Sequence, residues 1–316
     1  MVTRVALALG SGGARGYAHI GAVRAIRERD CEIVAVAGTS MGALVGGLAS
    51  AGRLEQFADW ATALQRRDVL RLLDPKLSSP GVLAADRLLD AIQEIFSDVH
   101  IEDLAIPFTA VATDLAARRE VWFQRGPLRA AVRASIAIPG VFTPVMINGR
   151  VLVDGGLTNP VPIDPTVGVP SDLTVAVSLT GPRRRVRDHA APTQESAAPQ
   201  LFEEWRSRLR RTVVGITGRE DRDQEPVPQP VRTSWGTDEL PAELTMLDVT
   251  AQSFEAMQGV VARYRMAAVP ADVVVTVPVD ACRSLDFHRA EELIELGHRL
   301  TSEALDAAGV APGPLR

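Results

Sequence analysis

A chain of 316 residues, 46% hydrophobic and 23% charged, has ordinary globular composition with ample apolar material for a sizeable core. Its formal net charge of -5 argues against a general nucleic-acid binder, which needs excess Lys and Arg to neutralise phosphates. The only two cysteines, Cys31 and Cys282, lie far apart and suggest neither a disulfide framework nor a cysteine metal site, so a reducing, cytoplasmic setting is the default.

Residues 3 to 9 form a short apolar run that enters a glycine loop directly, which reads as a strand and not a signal peptide. Gly10 to Gly16 is a glycine-rich turn, and Tyr17 to Arg29 has helical apolar spacing through Ile20, Val23, Ala25 and Ile26. Glu32 to Ala37 gives a second strand, Gly38 to Gly42 a tight turn, and Ala43 to Ala51 a small-residue helix ended by Gly52. Ile33 to Gly52 carries no charge and is as long as a membrane span, but five glycines interrupt it and its first part is valine-rich like a buried strand. Two successive strand-turn-helix units predict an α/β fold with a mainly parallel central sheet, helices on both faces in three layers, and active groups at the strand carboxyl ends.

Further on, Leu54 to Leu73 and Ala84 to Phe96 read as helices, with Pro75 to Gly81 a loop between them. Pro107 to Asp114 and Glu120 to Gln124 read as strands, Leu128 to Ser135 as a helix, and Pro139 to Pro144 as irregular because two prolines flank a glycine. Arg150 to Val153 is a short strand, and Leu173 to Leu179 is another that stops at Thr180-Gly181-Pro182. Composition then changes: Arg183 to Arg187 is basic, and the polar and Pro-rich stretches that follow predict a mobile insertion over 183–240. Within it, Leu201 to Thr217 has amphipathic spacing, and order returns with a helix near Glu243 to Ala267, a strand at Asp272 to Val277 and a helix at Phe287 to Ala308.

Gly38-Thr39-Ser40-Met41-Gly42 has the Gly-x-Ser-x-Gly form between an apolar strand and a small-residue helix, the context a nucleophile elbow requires. Gly38 and Gly42 leave room for the sharp turn, and the helix beginning at Met41 directs its positive end at an oxyanion beside Ser40. Gly10-Ser11-Gly12-Gly13-Ala14-Arg15-Gly16 ends a strand and opens a helix, so its amides can converge on an anion. A dinucleotide fingerprint fits Gly10, Gly12 and Gly16 only with an extra residue, and no Gly-Lys-Ser/Thr follows for a phosphate loop. The loop is better read as an oxyanion hole with the Gly12 and Gly13 amides as donors.

Ser40 needs a base. None of His19, His100, His189, His288 and His298 has the small-residue turn context of a triad histidine. Asp154-Gly155-Gly156 follows a strand, and a carboxylate there can approach Ser40 and take its proton directly. A triad with His288 or His298 stays open, as does a nucleotide-binding or regulatory protein in which Ser40 is incidental.

The glycine loop with His19 and Gly21, then Gly-Thr-Ser-Met-Gly-Ala, Ala134-Ser135 to Pro139-Gly140-Val141-Phe142 with Pro144, and Asp-Gly-Gly with Asn159-Pro160 together resemble the patatin-like phospholipases. The match runs from residue 5 to about residue 180, and Ala271 to Gly297 looks like the closing strand and helix of bacterial members. The resemblance implies one patatin-like domain over 1–316 and metal-independent ester hydrolysis by a Ser40–Asp154 dyad, with no cofactor. It further implies an oxyanion held by Gly12 and Gly13, and a phospholipid, lysophospholipid or other fatty-acyl ester as substrate. Arg15 is read as a support of its loop in preference to a head-group contact. The family loop often has glycine where Ser11 stands, a departure that leaves the adjacent amides unaffected. Peripheral contact with an anionic membrane, through the arginine cluster and Leu201 to Thr217, is a weaker expectation.

Overall fold

The computed structural model describes residues 2–72, 89–96, 98–183 and 246–310. Contacts divide the chain into a unit of residues 1–185 with 250–316 and a second of residues 186–249. The insertion expected over 183–240 lies outside the described residues from 184 onward, as do the helix expected at Leu201 to Thr217 and the loop at Pro75 to Gly81.

The strands are β1 (Arg4–Leu9), β2 (Glu32–Thr39), β3 (Phe108–Asp114), β4 (Arg119–Phe123), β5 (Val145–Ile147), β6 (Arg150–Asp154), β7 (Leu173–Gly181) and β8 (Val273–Pro278). They form one sheet in the order β5-β6-β3-β2-β1-β7-β8, with β4 also paired to β3. Strands β3, β2, β1, β7 and β8 run parallel, while β4 and β6 are antiparallel to β3 and β5 is antiparallel to β6. Besides a single turn at Gln93–Phe96, the helices among the described residues are α1 (Ala18–Arg27), α2 (Met41–Ser50), α3 (Leu54–Ala63), α4 (Arg66–Leu72), α5 (Leu128–Ser135), α6 (Met246–Ala268) and α7 (Ala290–Ala307).

Strand alternation sorts the two faces by side-chain size. Val5, Leu7 and Leu9 of β1 and Val175, Val177 and Leu179 of β7 join the large core with Ile20, Leu44, Leu48, Phe57 and Leu293 from α1, α2, α3 and α7. Each fully buried leucine there contributes about 1.5–3 kcal/mol. On the other face Ala8 and Ala176 cluster with Val161, Ile163 and, from α6, Ala262, a smaller core built on small strand side chains. The result is the three-layer α/β fold with a mainly parallel sheet.

The uncharged stretch Ile33 to Gly52 divides between β2 and α2, and among the described residues no helix is long and apolar enough to cross a membrane. The helix expected from Leu54 to Leu73 is broken into α3 and α4 at Leu64, whose backbone is extended. Asp68 restarts it by accepting the Gln65 N–H at 3.1 Å, a cap that satisfies a first-turn donor. Strand β5 falls where no strand was expected. It forms a hairpin with β6 through Asn148 and Gly149, both at positive φ (50° and 74°), which is the backbone a tight two-residue turn requires. Strand β7 runs on to Gly181, past its expected end, because after a register shift Gly181 pairs with Pro278.

Candidate active site

The site is made by the edge of β3. Strand β2 pairs with Phe108 to Val111 and ends with Thr39 opposite Val111. Strand β6 takes the next positions, Ala112 to Asp114, and ends with Asp154 opposite Ala112. Since β4 pairs with Ala110 to Asp114, it fills the other edge, and β2 and β6 meet end to end along one edge of β3. Thr39 and Asp154 therefore stand on adjacent rungs, which brings Ser40, the next residue, beside Asp154 although more than a hundred residues separate them in sequence.

Ser40 sits at the junction of β2 and α2 with φ 57° and ψ -124°, a conformation unusual for a residue with a Cβ. It is 1% exposed, and its N–H is held by the Ser135 hydroxyl. The turn is tight enough that a Cβ on Gly38 would lie 2.2 Å from the Gly42 carbonyl oxygen, and one on Gly42 would lie 2.0 Å from that of Leu9. Thr39 Oγ1 donates to the Asn159 carbonyl at 2.8 Å, tying the elbow to the segment after Asp154.

The glycine loop lies against this elbow: a Cβ on Gly16 would sit 2.3 Å from Cβ of Met41. Three of its amides are engaged, Gly10 N–H by Val177 O, Ser11 N–H by Pro160 O and Ala14 N–H by Ser284 O. Those of Gly12 and Gly13 have no hydrogen-bond partner among the described residues. Gly13 has φ 58°, a backbone state that glycine adopts without steric cost. Successive backbone amides left without protein acceptors are the groups a bound anion can use.

Asp154 is completely buried. Its Oδ1 accepts the Gly156 N–H at 2.7 Å, while the buried Oδ2 meets no hydrogen-bond geometry with a protein atom among the described residues and has the Ser40 hydroxyl as a neighbour. Burial raises its carboxyl from 3.8 to about 7, and the neighbouring Ser40 hydroxyl and the Gly156 amide pull the other way. Desolvation dominates because few donors compensate the charge. Gly155 and Gly156 are pressed on both sides: a Cβ on Gly155 would be 2.2 Å from Val111 O, and one on Gly156 would be 1.9 Å from Nε2 of Gln258.

Three of the histidines have partners other than Ser40 and Asp154. His19 is fully buried, with Nε2 donating to Gly10 O at 2.7 Å. His298 pairs with Glu28 and His100 with Glu102, and His189 is outside the described residues. Arg15 is 3% exposed; its guanidinium donates to Val279 O at 2.9 Å, Cys282 O at 3.4 Å and Glu255 Oε1 at 2.9 Å. Among the described residues no group of His, Cys, Asp and Glu is arranged to hold a metal ion.

Gln258 was not anticipated from sequence. It is buried on α6 and donates from Nε2 to Ser11 Oγ at 3.0 Å, closing over the glycine loop. A lone glutamine on a helix beyond a long insertion carries no local signal. His19, by contrast, stands at a fixed offset from Gly10 within one strand-loop-helix unit, a signal for its contact.

The family model for patatin-like phospholipase matches residues 7–167. An uncharacterized NTE family protein of Mycobacterium tuberculosis is 46% identical over 338 residues, covering 96% of this chain and 92% of that protein. Neuropathy target esterase sws of Drosophila persimilis is 35% identical over 165 residues, covering 50% of this chain and 11% of that protein. VipD from Legionella pneumophila aligns in structure with a TM-score of 0.43 at 12% identity, over 97% of this chain and 67% of that one. With half of its length matched by one family model and nearly all of it by a close relative, the chain belongs to the patatin-like phospholipase family.

Proposed function

We propose that this chain hydrolyses fatty-acyl esters with Ser40 as nucleophile and Asp154 as general base. The observation that carries the reading is the end-to-end meeting of β2 and β6, which sets Ser40 beside a buried carboxylate whose Oδ2 is committed to no other group among the described residues. A carboxyl raised to about 7 is poised to take and return a proton near neutral pH.

In the first half-reaction Ser40 Oγ bonds to the acyl carbon as its proton passes to Asp154. The carbonyl oxygen becomes an oxyanion, which the free Gly12 and Gly13 amides and the amino end of α2 stabilise. Collapse expels the alcohol, which takes the proton from Asp154 and leaves Ser40 acylated. Water then attacks the acyl-enzyme, gives a proton to Asp154, and the fatty acid departs as Ser40 Oγ regains that proton. No step needs a metal or cofactor.

The family supports a lipid ester, and a phospholipid or lysophospholipid is the substrate class proposed. Such substrates are presented at lipid surfaces, so the proposal includes peripheral contact with membranes. The test is hydrolysis of an ester series, short to long and with phospholipid included, by wild type, Ser40→Ala and Asp154→Asn. Both variants are expected to lose turnover on every ester. Retained turnover in Asp154→Asn would sink the dyad, and equal fluorophosphonate labelling of wild type and Ser40→Ala would sink the esterase.

A further inference from the structure

Ser135 carries a completely buried hydroxyl that no step of ester hydrolysis uses. It stands at the last position of α5, accepts the Ser40 N–H at 2.9 Å and donates to the Val111 carbonyl at 2.6 Å. Two residues on, the Ala137 carbonyl accepts the Asp154 N–H at 2.9 Å. The turn 135–137 therefore holds the backbone amides of both Ser40 and Asp154.

Each bond has a directional consequence. Because the Ser135 proton is committed to Val111 O, a lone pair is left facing Ser40, and the peptide plane ahead of Ser40 is fixed. That plane and the φ of 57° together aim Cβ and Oγ. A left-handed conformation at a non-glycine residue persists only where its surroundings over-determine it, and among the described residues Ser135 supplies the one side-chain bond to the Ser40 backbone. The Val111 carbonyl also borders Gly155, so the hydroxyl stands where β2, β3 and β6 converge.

We propose that Ser135 is a positioning residue that, with Ala137 in the same turn, sets the spacing of nucleophile and base. The proposal rests on the reading of Ser40 as nucleophile. A displacement of about 1 Å in a reacting group is enough to cost ~100-fold in rate, so one hydroxyl at this joint controls the chemical step without touching substrate.

The test is the rate of Ser40 phosphonylation by a fluorophosphonate, with kcat and KM on a soluble ester, in Ser135→Ala, Ser135→Thr and Ser40→Ala. Melting curves establish that each variant is folded at the assay temperature. Ser135→Ala is expected to lower labelling rate and kcat together by about 10- to 100-fold with KM unchanged, and Ser135→Thr, which keeps the hydroxyl, to recover most of the loss. A purely structural hydroxyl would lower the melting temperature and leave the labelling rate of folded protein unchanged; that result overturns the proposal. If Ser135→Ala does not fold, Ser135→Cys, close in volume and a weak hydrogen-bonding group, carries the same comparison. Loss of labelling in Ser40→Ala with wild-type rates in the Ser135 variants refutes the positioning alone. Undiminished labelling in Ser40→Ala refutes the nucleophile and the role of Ser135 with it.

Discussion

His19 Nε2 donates to the Gly10 carbonyl at 2.7 Å inside the fold, so the imidazole is the Nε2–H tautomer, its buried Nδ1 without a hydrogen-bond partner among the described residues. Burial lowers its pKa from 6.5 to about 4, with the Gly10 bond opposing. The unfolded chain then takes up a proton near 6.5 that the folded chain refuses until about 4. Stability is full above 6.5 and falls as pH drops toward 4, by roughly 3 kcal/mol for this group. Urea denaturation of His19→Gln is expected to show lower stability than wild type at pH 7.5, by about 1–3 kcal/mol for the disturbed buried bond, but a smaller loss between pH 7 and pH 4. An equal acid loss in both proteins would clear His19 of the effect.

Asp154 works in the opposite sense. Its folded carboxyl keeps a proton up to about 7 while the unfolded one releases it near 3.8, so its contribution is present below 3.8 and lost as pH rises through about 7. Asp154→Asn keeps the shape and an acceptor for the Gly156 N–H but removes the buried charge. Asp154→Asn should therefore be more stable than wild type at pH 8, by up to about 4 kcal/mol, with the gain vanishing at pH 4. Over pH 4 to 7 the His19 and Asp154 effects oppose each other, so the variant should be the more acid-sensitive protein. Unfolding midpoints at three pH values decide this.

The same carboxyl predicts the pH profile of turnover. With Asp154 as base, kcat/KM on a neutral soluble ester should rise tenfold per pH unit below about 7 and level off above it. A profile flat from pH 5 to pH 9 would remove Asp154 from the proton transfer.

Arg15 bonds two carbonyls and one carboxylate in a planar fork, which lysine cannot reproduce. Arg15→Lys should cost roughly 2–4 kcal/mol of stability and leave the ratio of activity on anionic and zwitterionic phospholipids unchanged. A shift in that ratio without destabilisation would assign Arg15 to head-group recognition instead.

Gly42 tests the elbow by sterics. A Cβ there meets the Leu9 carbonyl oxygen at 2.0 Å, and backbone cannot yield as a side-chain tip does. Gly42→Ala should destabilise by about 2–4 kcal/mol and lower soluble expression, whereas Gly168→Ala, with open space around it, should leave the unfolding midpoint within experimental scatter.

Much of the fold was legible because buried parallel strands are nearly continuous apolar runs: β2 and β7 stand out in sequence, and Leu128 to Ser135 has the bounds of α5. Strand β5 was missed although Asn148-Gly149 is a strong hairpin signal, since only three residues pair on its short strand. The break at Leu64 was hidden because Leu54 to Leu73 keeps helical spacing through it. Gln258, Glu255 and Arg265 all reach partners elsewhere in the chain from α6, and nothing local marks which face of that helix is anchored.

Around Ser40, the sequence alone determined the local geometry: an apolar strand, side-chain-free flanks and a small-residue helix leave a sharp turn as the favoured path, and such preferences are set by sterics within a few residues. It likewise marked Asp154-Gly155-Gly156 and the glycine loop as turns able to present a carboxylate and amides. Only the tertiary structure decided that Ser40 and Asp154 meet, because that depends on two strands sharing one edge of β3, and that Asp154 holds its proton to about 7. Protonation follows from the surroundings of a charge, and those surroundings are assembled from β3, α5 and α6 by packing that no short stretch of chain encodes.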